Sequence, residues 1–153
     1  MPLFYRIVQE HWAATALDGE GARLYGGRWN SPGVAAVYLA ESQALAALEI
    51  LVHAPREALL LDWIVIELDV PDSLIDKVPL SKLPTEWRLQ PSSRQAQIFG
   101  TRWLRDYQNL SLLLPSVVIP EEKSLLVNPL NPHMRDLKPG KPKPFSFDPR
   151  LAV

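Results

Sequence analysis

Glu49 is the residue whose type and surroundings most clearly suggest chemistry, because it is an acidic side chain inside an apolar segment. The segment from Ser42 to His53 predicts a helix capped by Ser42, with an apolar face built at spacings of three and four by Leu45, Leu48 and Val52. Glu49 falls on the same face, so we expect a helix buried on most sides and a carboxylate shielded from water. An ionised carboxylate in such a place is costly unless it is paired or hydrogen-bonded. Two interpretations stay open: an ion pair with a core arginine, or a charge used in catalysis.

Arg28 lies in a second segment with chemical potential, the loop Gly26–Gly33 of sequence GGRWNSPG. The two adjacent glycines permit positive φ and a close approach of backbone to a ligand. The planar guanidinium of Arg28 suits a diphosphate or a carboxylate. We expect Trp29 to anchor the loop in the core. The alternative for the whole segment is a tight turn with a solvated arginine.

Tyr38 is the third candidate, on a strand of small residues that leads into the Glu49 helix. Strand periodicity places Tyr38 on the same face as Ala36 and Ala40, which leaves space above its ring for a flat group. The alternative is an ordinary core tyrosine. Because Arg28, Tyr38 and Glu49 lie on a consecutive loop, strand and helix, we expect them to converge in one cleft.

The elements that must position these residues follow from hydrophobic alternation and turn residues. The patterns predict strands at Phe4–Val8, Val34–Ala40, Leu59–Val70, Leu110–Leu114, Ser116–Ile119 and Lys123–Val127. A second helix is predicted from Ser93 to about Tyr107, and His11–Ser31 is predicted to be loop or broken helix. The proline-rich tail, residues 138–153, is expected to be extended and either packed along the body or mobile. Mixed strands and helices without a βαβ rhythm predict an α+β fold.

Composition narrows the class of protein further. The length of 153 residues predicts a single domain spanning 1–153. Sixteen basic and 17 acidic residues give a net charge of −1, which argues against direct nucleic-acid binding. The absence of cysteine excludes disulfides, zinc–thiolate sites and cysteine nucleophiles. With no secretory signal and no long apolar run, we expect a cytoplasmic protein that does not bind membranes.

Common motifs do not supply a function. Gly19–Leu24 begins like a dinucleotide-binding fingerprint, but Leu24 replaces the third glycine and no apolar strand precedes it. The three histidines, His11, His53 and His133, are not spaced as metal ligands, so we expect no metal site.

The segments taken together resemble the RES-domain toxins of bacterial toxin–antitoxin systems. The resemblance rests on YRI, GEGA, GGRWNSPG, VYLAES, ALAALE, FGTRW, PSVVIP, LLVNP and FSFDPRL, which extend over nearly the whole chain. The family is named for an arginine, a glutamate and a serine, which the motifs carry over to Arg28, Glu49 and Ser116. Its further substrate-binding residues correspond to Arg6, Tyr38 and Asn128.

One motif departs from the family pattern. A basic residue and then a histidine commonly follow the N-P of the last motif, whereas Leu130 and Asn131 stand there in this chain. A role for His133 therefore stays open.

The resemblance implies an ADP-ribosyltransferase-like fold that binds NAD⁺ as a substrate and needs no cofactor. It also implies a cognate Xre-like, helix-turn-helix antitoxin that covers the entrance of the active site. The Leu110–Leu114 run and exposed parts of the tail could serve a homodimer within a toxin–antitoxin complex.

A mechanism follows for these residues. Cleavage of the nicotinamide–ribose bond passes through an oxocarbenium-like transition state, which Glu49 would stabilise from beneath the ribose. Arg28 and Arg6 would hold the diphosphate or the adjoining ribose, and Tyr38 would stack on nicotinamide. Ser116 would bind the ribose or orient Glu49. Water or phosphate would accept the ADP-ribosyl group.

Three alternatives remain. The acceptor could be a protein, which would make the chain a macromolecular ADP-ribosyltransferase. The chain could be a non-enzymatic interaction module in which Glu49 belongs to an ion pair. An RNase toxin is disfavoured by the near-neutral charge and the lack of a paired His/Lys site.

Overall fold

A single seven-stranded sheet organises the chain in a computed structural model that describes residues 2–106 and 109–153. The strands are β1 (Leu3–Gln9), β2 (Val37–Ala40), β3 (Trp63–Asp69), β4 (Ile75–Lys77), β5 (Ser111–Pro115), β6 (Lys123–Val127) and β7 (Lys143–Phe145). They lie in the order β4-β5-β6-β2-β1-β3-β7, with β4 and β5 parallel and the other neighbours antiparallel. The helices are α1 (Glu20–Tyr25), α2 (Gln43–Leu51) and α3 (Arg94–Asp106). The predicted α+β class is confirmed.

The central strands form where alternation predicts them. β1 pairs with β3 along all seven residues, from Leu3↔Asp69 to Gln9↔Trp63. β3 begins at Trp63, later than the predicted Leu59, because Arg56–Leu60 forms a 3₁₀ turn after Pro55. The Trp63 indole N–H donates to the carbonyl of Ala58 and ties this turn to the strand.

The structure also departs from the prediction in other strands. β2 begins at Val37 and not at Val34, because a turn joins Val34 N–H to the carbonyl of Ser31. Residues 116–119, predicted to be a strand, form a bend that leads into a turn. The three-residue strand β4 was not predicted. Its hydrogen bonds to the parallel strand β5 place it in the sheet. The predicted end of the second helix near Tyr107 lies outside the described residues.

Helix α2 has the predicted cap but not the predicted burial. The Ser42 hydroxyl accepts the N–H of Leu45 at 3.0 Å, which satisfies one donor of the first turn. Only Leu45 and Ala46 of the helix are buried, and Val52 is 54% exposed. The expectation of burial on most sides is therefore wrong: α2 packs on β1 and β2, residues 47–51 are only half-buried, and Gln43 and Ala44 are exposed.

The C-terminal tail packs along the body. β7 pairs with β3, and the buried Phe147 packs edge-on against Trp63 with ring centroids 5.4 Å apart. The packed alternative for the tail is thus the observed one. No helix in the described ranges has both the length and the apolar character needed to cross a membrane.

Candidate active site

The Glu49 carboxylate lies at the centre of the site and is held by two serines. Both hydroxyls donate to the same oxygen, Oε1: Ser116 at 3.2 Å and Ser124 at 3.0 Å. No lysine or arginine among the described residues forms an ion pair with this carboxylate. Hydrogen bonds from hydroxyls therefore replace the core ion pair that the pattern left open, and Glu49 is half-buried and keeps contact with the cleft.

Strand order explains why these three residues meet. β6 lies between β5 and β2 and is antiparallel to both, so the ends of β5 and β2 and the start of β6 share one edge of the sheet. Ser116 follows β5, Ser124 is the second residue of β6, and α2 starts shortly after β2. Ser124 is paired with Ala40 on one side and Leu114 on the other.

The environment shifts the pKa of Glu49 in two opposing ways. Burial raises the pKa of this carboxyl, and the raising effect dominates. The hydrogen bonds from Ser124 and Ser116 lower it, as do electrostatic interactions with His53 and Arg28. Glu49 thus holds its proton to higher pH than an exposed glutamate, while these neighbours favour its ionised form.

Tyr38 fastens the loop 26–33 to the sheet. Its hydroxyl donates to Asn30 Oδ1 at 2.6 Å and accepts the N–H of Trp29 at 3.0 Å. Burial raises the pKa of Tyr38, so the phenol is neutral. Asn30 is fully buried, and its amide donates to the carbonyls of Ala22 and Val34. Asn30 is a structural organiser of the site that the sequence pattern did not single out.

Arg28 is presented by this loop but its guanidinium is partly occupied. Nη1 donates to the carbonyls of Trp87 at 2.9 Å and Leu89 at 2.8 Å. Burial lowers the pKa of Arg28, while Tyr38 and Glu49 raise it. The solvated-arginine alternative does not describe this side chain, which reaches across the cleft to a distant segment.

Trp29 anchors the loop in the core as expected. It is 3% exposed and packs between Trp87, at a centroid distance of 6.4 Å, and Phe99, at 6.0 Å. The apolar cluster around Trp29 therefore fixes the base of the loop that carries Arg28.

Arg6 lies on β1 beside the same cleft. Its Nε donates to the carbonyl of Ala16 at 2.7 Å, and its Nη1 donates to the carbonyl of Tyr38 at 3.1 Å. Burial lowers the pKa of Arg6, and Asp18 raises it. Arg6 thereby braces the strand of Tyr38 from the neighbouring strand.

Asn128 and His133 lie away from the cleft. Asn128 is 2% exposed; its amide donates to the carbonyl of Leu104, and its Oδ1 accepts the N–H of Leu130. The expectation that Asn128 binds substrate does not fit this position, because its polar atoms are used inside the fold. His133 pairs with Asp136 at the surface and lines neither lobe described below.

The cleft has two lobes that meet at Glu49. The first lobe, of about 440 Å³, is bounded by β1 and α2 and includes Tyr5, Arg6, Ile7, Gln9, Ile50 and Ala54. The second lobe, of about 510 Å³, is bounded by the loop 26–33 and includes Tyr25, Gly27, Arg28, Gln90, Val117 and Ser124. Tyr38, Glu49 and His53 line both. Each lobe has the size of a ligand pocket.

Arg28, Tyr38 and Glu49 therefore do converge, as their consecutive elements predict. His53 and Ser124 were missed as site residues. His53 had a detectable signal, because it lies one helical turn after Glu49. Ser124 had little signal beyond being a polar residue at the start of an apolar strand. In the part of the chain that the structure describes, no cluster of three His, Cys, Asp or Glu side chains could hold a metal ion.

Comparisons with known proteins agree with this architecture. The family model described as "RES domain" matches residues 3–148. The "Prs ADP-ribosylating toxin" of Sphingobium sp. (strain YBL2) is 39% identical over 153 residues, covering 97% of this chain and 95% of that protein. "Toxin Res" of Yersinia enterocolitica is 40% identical over 150 residues, covering 97% of this chain and 99% of that protein.

A solved structure shares the fold. The crystal structure of the M. tuberculosis MbcT–MbcA toxin–antitoxin complex contains a chain that superposes with a TM-score of 0.76. The match has 24% sequence identity and covers 98% of this chain and 86% of that one. With a two-lobed cleft around one carboxylate, a family match over nearly its full length and relatives at about 40% identity, this chain belongs to the RES domain family.

Proposed function

We propose that this protein is the toxin of a toxin–antitoxin system and that it cleaves the nicotinamide–ribose bond of NAD⁺ in the cytoplasm. The observation that carries the proposal is the single carboxylate of Glu49, held at Oε1 by two hydroxyls at the junction of two ligand-sized lobes. The bond that breaks joins nicotinamide to its ribose near one end of the dinucleotide, so a carboxylate at the junction of two lobes would face that ribose while the lobes hold the groups on either side of it.

Cleavage of this bond requires one ionised carboxylate and no general acid. When the C–N bond between ribose and nicotinamide breaks, its electron pair moves to the ring nitrogen, and nicotinamide leaves neutral without a proton. Positive charge develops on the ribose at the same time. An ionised Glu49 beside that sugar stabilises the charge more in the transition state than in the ground state, which is the condition for catalysis. A water oxygen then bonds to the ribose carbon and gives up a proton to solvent or to the Glu49 carboxylate, or an oxygen of hydrogen phosphate bonds there in its place.

The surrounding residues have supporting roles in this proposal. Arg28 contributes a cation to the second lobe, where it would bind the diphosphate or the adjoining ribose. Arg6 does so for the first lobe. The ring of Tyr38, which lines both lobes, would stack on nicotinamide. Ser116 is 1% exposed and bonded to Glu49, so we assign it to orienting the carboxylate rather than to the ribose.

The relatives support the biological role. Two of them are named as toxins, and the M. tuberculosis structure is a toxin–antitoxin complex. We therefore propose a cognate antitoxin of the Xre-like type that covers the cleft. Expression of this chain alone should lower cellular NAD⁺ and arrest growth, and co-expression of the antitoxin should restore both.

The direct test is nicotinamide release from NAD⁺ by the purified protein. Replacement of Glu49 by Gln keeps the shape and the acceptor oxygen for both serines but removes the charge, so the rate should fall about 10²- to 10³-fold. The matched control is Glu121→Gln, the same change at an exposed residue that lines neither lobe. A folded Glu49→Gln variant with the wild-type rate would refute the assignment.

A second candidate is ADP-ribosylation of a protein, because the Sphingobium relative is named as an ADP-ribosylating toxin. NAD⁺ labelled in its adenylate half separates the two. Label on a target polypeptide would establish transfer to protein, whereas label confined to small molecules would establish hydrolysis or phosphorolysis.

A further inference from the structure

We propose that Ser124 is a positioning residue that acts with Ser116 to hold Glu49 Oε1, so that Oε2 is the oxygen presented to the substrate. This inference rests on the proposed function. It begins with the geometry of the two hydrogen bonds, which reach one oxygen from the bend after β5 and from strand β6.

The hydrogen bonds of the Ser116 hydroxyl leave it only the role of donor to Glu49. A hydroxyl has one proton and two lone pairs. The Ser116 oxygen accepts the N–H groups of Val118 at 3.1 Å and Ile119 at 3.3 Å, which leaves its proton for Glu49 at 3.2 Å. The side chain is also 1% exposed. Ser116 is therefore a fixed donor to Oε1.

Ser124 approaches the same oxygen from inside the cleft. It lines the second lobe, and strand pairing on both sides holds its backbone. Among the described residues, its hydroxyl has Glu49 Oε1 as its hydrogen-bond partner, at 3.0 Å. Unlike the Ser116 hydroxyl, the Ser124 hydroxyl accepts no hydrogen bond from neighbouring N–H groups of the described residues. Removal of the Ser124 hydroxyl therefore tests mainly its contact with Glu49.

Two donors on one oxygen determine what the other oxygen does. They fix the rotation of the carboxylate plane, and because both donate, Oε1 must act as acceptor. A proton carried by Glu49 is then on Oε2, and in the ionised state Oε2 has its lone pairs free for the ribose. Hydrogen bonds to a carboxylate favour its charged form, so loss of Ser124 should also raise the pKa of Glu49.

Other titratable groups face the same carboxylate and must be kept constant in the test. They are His53 in the turn after α2, Arg28 on the loop 26–33 and Tyr38 on β2. None of them is changed in the variants used.

The first experiment measures nicotinamide release from NAD⁺ by Ser124→Ala, Ser124→Thr and a control variant. The control is Ser81→Ala, because Ser81 is exposed and lies outside both lobes. Ser124→Ala should lower kcat about 10- to 100-fold, the range for loss of one hydrogen bond to a charged group, with KM little changed. The acidic limb of its kcat–pH profile should move to higher pH. Ser124→Thr, which restores a hydroxyl, should recover most of kcat, and Ser81→Ala should match the wild type.

Three results would overturn the inference. Unchanged kcat and pH profile in Ser124→Ala would show that Ser116 alone suffices. A raised KM with unchanged kcat would mean that Ser124 binds substrate instead of positioning Glu49. Failure of Ser124→Thr to recover activity would point to packing rather than to the hydroxyl.

The second experiment does not depend on turnover. The ¹³C resonance of the Glu49 side-chain carboxyl, assigned with Glu49→Gln, is titrated in the wild type and in Ser124→Ala. A higher pKa in the variant supports the positioning contact, and identical titrations refute it. Absence of NAD⁺ cleavage by the wild type would count against the proposed function, and the titration would still decide the role of Ser124.

Discussion

A single methyl group at Gly100 should separate helix α3 from the loop that carries Arg28. Gly100 lies so close to Trp29 that an added Cβ would be 1.9 Å from its carbonyl oxygen and 2.7 Å from its carbonyl carbon. The backbone of Trp29 cannot yield easily, because its N–H is held by the hydroxyl of Tyr38. The helix or the loop must therefore shift by about 1–2 Å to reach an ordinary van der Waals separation.

The cost of that shift follows from the contacts around it. Overpacking costs about 1–3 kcal/mol. The movement also breaks two links between α3 and the loop, from Gln97 Nε2 to the carbonyl of Gly27 at 3.0 Å and from Ser31 N–H to Thr101 Oγ1 at 2.9 Å. Each link contributes about 0.5–1.5 kcal/mol, and the better helix propensity of alanine offsets about 1 kcal/mol. We expect a net loss of about 1–5 kcal/mol in the free energy of unfolding of Gly100→Ala.

Urea unfolding at constant pH and thermal unfolding both measure this loss. For a chain of this length the melting temperature should fall by about 2–20 °C, and NAD⁺ cleavage should fall with the displaced loop. The matched control is Gly21→Ala in α1, where an added Cβ has no neighbour within 4 Å; it should be as stable as the wild type or up to about 1 kcal/mol more stable. A Gly100→Ala variant with the wild-type urea midpoint would refute the reasoning.

Two further changes test how Glu49 is held. Ser116→Ala removes a donor to Glu49 and leaves the N–H groups of Val118 and Ile119 without their acceptor. In urea unfolding, this variant should therefore lose about 2–4 kcal/mol in the free energy of unfolding, and Ser124→Ala should lose less. Equal losses in the two variants would contradict this account. The prediction for Glu49→Gln concerns the pH dependence of stability. Because burial raises the pKa of Glu49, the folded wild type binds more protons than the unfolded chain at pH values between the ordinary and the raised pKa. The free energy of unfolding of the wild type therefore falls as pH rises through that window. Unfolding free energies measured from acid to neutral pH should therefore fall in the wild type relative to Glu49→Gln, and the opposite trend would be incompatible with a raised pKa.

Much of the local structure was readable from the chain itself. Ser42 caps α2 as the pattern predicts, and the alternation that ends at Pro71 marks β3. These features depend on neighbours a few residues apart, so local physics suffices. The polar residue out of place in an apolar helix, Glu49, was likewise visible without a structure.

Two features that strand patterning does not encode are hydrogen bonds from polar side chains. Residues 116–119 carry β-branched and apolar side chains, yet the Ser116 hydroxyl captures two N–H groups and bends the chain. Asn128, a polar residue at the end of a strand, is used by α3 and the following turn instead of the cleft. The Ser116 bonds are local side-chain-to-backbone contacts that compete with strand formation, whereas the bond from Asn128 to Leu104 depends on the tertiary fold.

The sequence by itself determined the α+β class, the strongest strands and helices, and the grouping of Arg28, Tyr38 and Glu49 on consecutive elements. Only the tertiary structure decided how the carboxylate is held, since Ser116 and Ser124 are 67 and 75 residues from Glu49 along the chain. Side-chain alternation encodes which face of a strand is buried. It does not encode which strand lies beside it, because strands pair through backbone groups that every residue shares. The order β5-β6-β2, and with it the pair of serines on one oxygen, therefore depends on how the whole chain folds.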